Sequence, residues 1–240
     1  MFQKTEGIVL NYNRYSESSA IVHIFTRELG MKSYIINGVF GKKKKDKFIL
    51  LQPLNILELE VYNKQNKDIQ RIKDFKLKRI QTKIPFSQER RAQTFFITEC
   101  LSNILRNENV NHSLFDFISE GIVFLDSDNE AIENFHISFL FQLTTFLGFM
   151  PDGKNAEHFS YFDLIEGCFA NENKKHPFFL SADETKLFAR FFSSDRYVLS
   201  QLAKNVYERK ILLKSIIALY ERHFPEAFKI NSIEVLGELF

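Results

Sequence analysis

The sequence predicts an α+β chain of two parts, a five-stranded β-barrel over residues 1–80 followed by a mostly α-helical domain over residues 81–240. Three observations carry this. Up to Ile80, apolar residues fall in short runs separated by Gly, Asn and Ser, as strands joined by turns do. Beyond Pro85 they recur three and four apart, the period of helices. The charge changes at the same place. Residues 1–80 carry 16 Lys and Arg against 8 Asp and Glu, while residues 81–240 carry 16 against 22, so a +8 half adjoins a −6 half within a chain of net charge +2.

The strand-like runs cover residues 7–15, 19–27, 31–39, 56–62 and 69–80. In the fourth, Leu57, Leu59 and Val61 alternate with Glu58 and Glu60, and in the fifth Phe75 and Leu77 alternate with Lys76 and Lys78. That period of two marks strands buried on one side. Gly30 lies between the second and third runs, where a tight turn needs positive φ, so these two are expected to pair as a hairpin. Five strands in about 80 residues make a small closed barrel, and the OB-fold is the commonest such unit that binds nucleic acid.

The helical part is expected to begin at Ser87, a capping residue, although Arg90 stands where a capping box would place Glu. Ala92, Phe96, Cys100, Leu101, Ile104 and Leu105 then form one face. Further helices are expected over 113–125, 131–147, 182–192, 197–206 and 208–224, with Asp183 and Glu184 in the first turn after Ser181. Between 150 and 180 the period is lost, which reads as an irregular insertion.

Composition excludes several classes. With 45% hydrophobic residues, 240 residues can bury a core without disulfides or metals. Two distant cysteines, Cys100 and Cys168, fit a reducing cytoplasm better than a secreted scaffold. The N-terminus has no basic segment leading into an apolar stretch, so no secretory signal is expected. The most apolar stretch, 135–150, is broken by His136, Gln142 and Thr144 and reads as a buried helix rather than a membrane span. The 27 Phe beside no Trp reflect base composition and carry no functional meaning.

The sharpest local feature is Gly41-Lys42-Lys43-Lys44-Lys45-Asp46-Lys47, between the third and fourth strands. Lysines on such a loop meet phosphates as point charges, and the binding weakens with salt. A merely solvated loop is the competing explanation, set against the basic character of the whole half. Lys32 and Tyr34 share one side of the third strand, offering a charge and a ring for a single strand, though a core tyrosine fits equally well. Arg14 and Tyr15 at the end of the first strand extend the same surface, and Arg27 and Arg79 are weaker candidates. Catalytic and metal motifs are missing: no paired cysteines accompany Cys168, His158 and His176, and the acidic group Asp126, Asp128 and Glu130 has no partner cluster in sequence. The chain is not expected to be an enzyme or to hold a metal.

Gly7-Ile8-Val9-Leu10, Tyr15-Ser16-Glu17-Ser18, Ile24-Phe25-Thr26-Arg27-Glu28-Leu29-Gly30, Gly38-Val39 and Leu51-Gln52-Pro53-Leu54 appear in the order seen at the N-terminus of the RecO family of bacterial recombination mediators. The segment from Tyr207-Glu208-Arg209 to His223-Phe224 also resembles that family's last helices. The resemblance implies an OB barrel and a helical domain acting without catalysis in recombinational DNA repair. It implies binding of single- and double-stranded DNA and annealing of strands coated by single-strand-binding protein (SSB). With RecR, such proteins load RecA, in the bacterial cytoplasm at the nucleoid. Arg14, Lys32, Tyr34, Lys42, Lys43, Lys44, Lys45 and Lys47 fit the DNA role by charge and placement. Lys204, Arg209 and Lys210 are candidates for the acidic SSB tail. Many family members carry four cysteines as a zinc site where this chain has only Cys168, so no zinc is expected. Packing among Phe159, Tyr161, Phe162, Phe169, Phe178 and Phe179 is expected to hold that segment instead. An RNA-binding OB protein of translation or ribosome assembly, and an interaction module that binds no nucleic acid, remain the rival readings.

Overall fold

The computed structural model describes residues 2–40, 45–64, 67–129, 132–154, 156–171, 176–193, 202–225, 228, 230–233 and 236. Five strands, β1 (Phe2–Arg14), β2 (Ala20–Thr26), β3 (Gly30–Ile36), β4 (Ile56–Tyr62) and β5 (Ile69–Leu77), close a barrel in the order β1-β2-β3-β5-β4. All neighbours are antiparallel except β3 and β5, and a short helix α1 (Lys45–Ile49) lies between β3 and β4. This is OB topology.

The 13-residue β1 makes closure possible, because its first half pairs with β4 and its second half with β2. A bulge between Val9 and Asn11 bends it from one partner to the other. Gly7 sits in the overlap, where a Cβ would lie 2.5 Å from Ile24 Cγ2 and 2.7 Å from Leu59 Cδ1, so a larger residue would force the strands apart. Gly30 turns β2 into β3 with φ of 67°. The alternating residues Leu57, Leu59 and Val61 join Val9, Val22, Ile24 and Ile36 in the barrel core, each side chain contributing about 1.5–3 kcal/mol by leaving water.

Two helices complete the first compact unit, Met1–Ser127: α2 (Gln88–Ile104) and α3 (His112–Leu125). The strand pattern thus gives way to helices near residue 80, while the compact unit runs on to 127. Ser87 caps α2 by accepting from the Arg90 amide at 3.3 Å. The Arg90 side chain, buried instead of returning to the cap, donates to the Leu125 carbonyl. Asp126, also buried, accepts from the amides of Thr82, Lys83 and Ile84 at 2.8–3.0 Å, which fixes the strand-to-helix connection. Arg27 makes a two-pronged bond to Asp116 of α3 at 2.9 and 3.1 Å.

The second unit, Asp128–Phe240, contains α4 (Phe135–Leu147), α5 (Ala182–Phe188), α6 (Arg190–Ser193) and α7 (Val206–His223). Ser181 and Glu184 form a full capping box on α5. The helix expected over 182–192 is divided at Ala189. Of the helix expected over 197–206, residues 197–201 lie outside the described residues and 202–205 are not helical. Asn205 caps α7 by accepting from the Glu208 amide at 2.9 Å, so the last helix starts two residues before the expected Glu208. The segment expected to be irregular holds a three-stranded sheet, β7-β6-β8, of β6 (Tyr161–Asp163), β7 (Cys168–Ala170) and β8 (Phe179–Leu180). Strands of two or three residues are too short to show alternation.

That sheet is packed by rings: Phe162 meets Phe169 at 5.0 Å and Phe188 at 4.6 Å, and Tyr161 meets Phe179 at 6.3 Å. The residues present do not fit a four-cysteine zinc site. Among the described residues no group of three His, Cys, Asp or Glu stands close enough to hold a metal. No described helix is long and apolar enough to cross a membrane.

Candidate nucleic-acid interface

The barrel's β1–β2 loop and β4–β5 loop flank a cleft of about 630 Å³. Three apolar side chains line it while remaining well exposed, Tyr15 (62%), Tyr62 (44%) and Ile69 (41%). Three cations, Lys64, Lys67 and Arg71, line it too, and among the described residues no acidic side chain does. Rings that can take a base and cations that can take its phosphate are the two components of sequence-tolerant single-strand binding. In an OB-fold these same two loops flank the oligonucleotide site.

Both loops are held by side chains at the ends of barrel strands. Gln70, buried at the start of β5, accepts from the Lys64 amide at 2.9 Å and donates to the carbonyls of Lys64 at 2.8 Å and Lys67 at 2.5 Å. One buried amide therefore sets the path of the loop that carries two of the three cations. On the other side, Arg14 donates to the carbonyls of Ser16 at 3.3 Å and Glu17 at 3.2 Å and lies over the Phe40 ring. Its guanidinium, still exposed, organises the β1–β2 loop that presents Tyr15. Below the cleft, Phe2 stands edge-on to Tyr62 at 6.0 Å and Lys73 lies over the Phe2 ring.

Tyr34 does not offer the platform expected of it. Its ring is fully buried in the barrel core, burial pushes its phenol well above the usual tyrosine range, and its hydroxyl finds no hydrogen-bond partner among the described residues. Lys32, on the same strand, is half-buried and lines a neighbouring groove. Lys42, Lys43 and Lys44 lie outside the described residues. Lys45 opens α1, its side chain also outside them, and Lys47 is exposed on that helix, so part of the expected loop is helical.

In the second unit, Lys204 and Lys210 are exposed on either side of the exposed Val206 and Tyr207. Arg209 is half-buried, its basicity lowered by burial and partly restored by Glu133, so it belongs to the helix's inner side. It also helps hold the buried His136 imidazole neutral, down to a pKa of about 3, chiefly an effect of burial.

Tyr62, Lys64, Lys67, Ile69 and Arg71 escaped the sequence reading. A signal was present: the alternation of the fourth strand puts Tyr62 on the outer face, and the Lys-bearing connection after it is a binding loop in the OB scheme.

A closed five-stranded OB barrel with a ring-and-cation cleft between its two binding loops, carried ahead of a helical region, defines a class of oligonucleotide-binding architecture. Family models then place the chain more narrowly. Residues 1–81 match the Recombination protein O N-terminal model and residues 89–231 the Recombination protein O C-terminal model. The chain is 34% identical to the DNA repair protein RecO of Flavobacterium psychrophilum, covering 99% of this chain and 98% of the relative. It is 30% identical to that of Phocaeicola vulgatus and 31% to that of Bacteroides fragilis, covering the whole of both chains in each case. The chain belongs to the RecO family of DNA repair proteins.

Proposed function

We propose that this chain is a non-enzymatic recombination mediator of the bacterial cytoplasm and nucleoid. It binds single- and double-stranded DNA without reading sequence and anneals complementary strands. With RecR it promotes loading of RecA onto SSB-coated single strands. The observation that carries the reading is the cleft between the β1–β2 and β4–β5 loops, where exposed Tyr15 and Tyr62 stand among Lys64, Lys67 and Arg71 with no carboxylate on the lining among the described residues. Rings and cations hold a strand through stacking and phosphate charge, which every sequence offers equally. The acidic tail of SSB is assigned to the start of α7, where Lys204 and Lys210 flank Val206 and Tyr207.

The test is annealing of complementary DNA strands precoated with the cognate SSB, followed over a range of salt. Acceleration that fades linearly in log salt is expected. A folded protein that accelerates nothing, or that binds RNA in preference, would remove the reading.

A further inference from the structure

Lys67 lines a second groove as well as the cleft. This groove, of about 670 Å³, lies between the barrel strands β1–β3 and the C-terminal end of α2. Its walls are fixed by Asn11 donating to Ser102 Oγ at 3.1 Å and by the Met31 amide donating to the Glu108 carbonyl at 2.9 Å. Its chemistry differs from that of the cleft. Among the described residues no aromatic side chain other than His23 lines it, and burial lowers the basicity of that imidazole, which lies between Asn13 and Ser33. In place of rings there are the amides of Asn11, Asn103 and Asn107 and the cations Lys32, Lys67 and Arg106, against one acid among the described residues, Asp68.

The groove lacks the aromatic platforms on which unstacked bases are held, while its cations and amides suit the sugar-phosphate backbone and groove edges of bases that are already paired. We infer that the α2 groove is a separate site for duplex DNA, lying beside the single-strand cleft and joined to it at Lys67. A strand entering as unpaired bases on Tyr15 and Tyr62 leaves as paired product along Arg106 and Asn103. The inference rests on the annealing function proposed above and adds to it a second site with its own chemistry.

The experiment uses the full chain and two probes, labelled oligo-dT, which cannot self-pair, and a labelled blunt duplex. Arg106→Glu is combined with Lys32→Gln, and a milder Arg106→Gln variant guards against misfolding, with thermal melts run on each. The duplex Kd is expected to rise about tenfold with the oligo-dT Kd within about twofold of wild type. Tyr15→Ala with Tyr62→Ala is expected to raise the oligo-dT Kd by about a hundredfold or more, with the duplex Kd within about twofold of wild type. Equal losses on both probes would overturn the inference, making the groove a continuation of one path. Unchanged duplex binding in the groove variants, with oligo-dT binding still lost in the tyrosine variants, would overturn it and leave the annealing function standing. Wild-type protein that binds neither probe would remove both.

Discussion

Two faces of the same barrel carry cations in opposite conditions. On the face built from β1, β4 and β5, Lys4 and Lys73 share Glu60, Lys76 meets Glu58 at 2.9 Å, Lys78 meets Glu6 at 2.5 Å and Arg27 meets Asp116 at 2.9 Å. At the cleft, Lys64, Lys67 and Arg71 have no acid on the shared lining among the described residues. Exposed ion pairs add little to stability, so the pairing on the first face matters chiefly for what it does to the field. Net charge summed over residues 1–80 hides this. A polyanion meets a neutralised sheet on one side and an uncompensated cluster, flanked by rings, on the other.

Charge reversal at the two faces breaks the comparison most directly. Lys64→Glu, Lys67→Glu and Arg71→Glu together are expected to lower oligo-dT affinity by about a hundredfold or more and to flatten the salt slope by about 2. Lys73→Glu with Lys76→Glu, on the paired face, is expected to change affinity by less than about threefold. Fluorescence anisotropy over a salt series reads both, and equal losses would sink the distinction. Next in size, Tyr62→Ala is expected to weaken oligo-dT binding on the order of ten- to a hundredfold through lost stacking, at unchanged salt slope. Smaller is Tyr34→Phe, which removes a buried hydroxyl without a partner. Urea unfolding is expected to show stability unchanged or raised by up to about 1 kcal/mol, and DNA binding should be untouched.

The smallest effect is with pH. Hydrogen bonds from Lys73 and from Arg27 hold Glu60 and Asp116 below the ordinary carboxylate range, so both stay charged, and the paired face stays neutralised, on acidification from pH 8 to 6. Affinity is therefore expected to stay within about twofold, and a steep rise toward pH 6 would mean that the paired face had begun to bind.

The barrel was legible because its signals are local. Alternation in β4 and a glycine turn between β2 and β3 can be read from neighbours in sequence, and the strands fall within about three residues of their expected limits except β1, which begins five residues early with the half that pairs with β4. The site was less legible because it is assembled across distance. Tyr15, in the β1–β2 loop, and Arg71, on β5, line one cleft only once the barrel closes, while the compact lysine run stands out at residues 42–47. Tyr34 illustrates the limit of strand parity, which says which side a residue faces but not whether that side is the inside. In Arg14 and Arg209, charge alone could not show that one guanidinium would be tied to loop carbonyls and the other half-buried. The small sheet was missed because its strands offer too few residues to establish a period.

The three amides gathered by Asp126 bear on where the chain can be cut. A fragment ending near Ile80 would leave Arg27 without its carboxylate, the Met31 amide without its acceptor and the Phe25 ring without Phe115, all on a barrel that otherwise keeps every strand. One ending after Ser127 retains these, together with the buried carboxylate that closes the connection. For expression, labelling or crystallisation of the N-terminal part, the natural terminus is therefore Ser127, and the helices α2 and α3 are best treated as part of the barrel's structure.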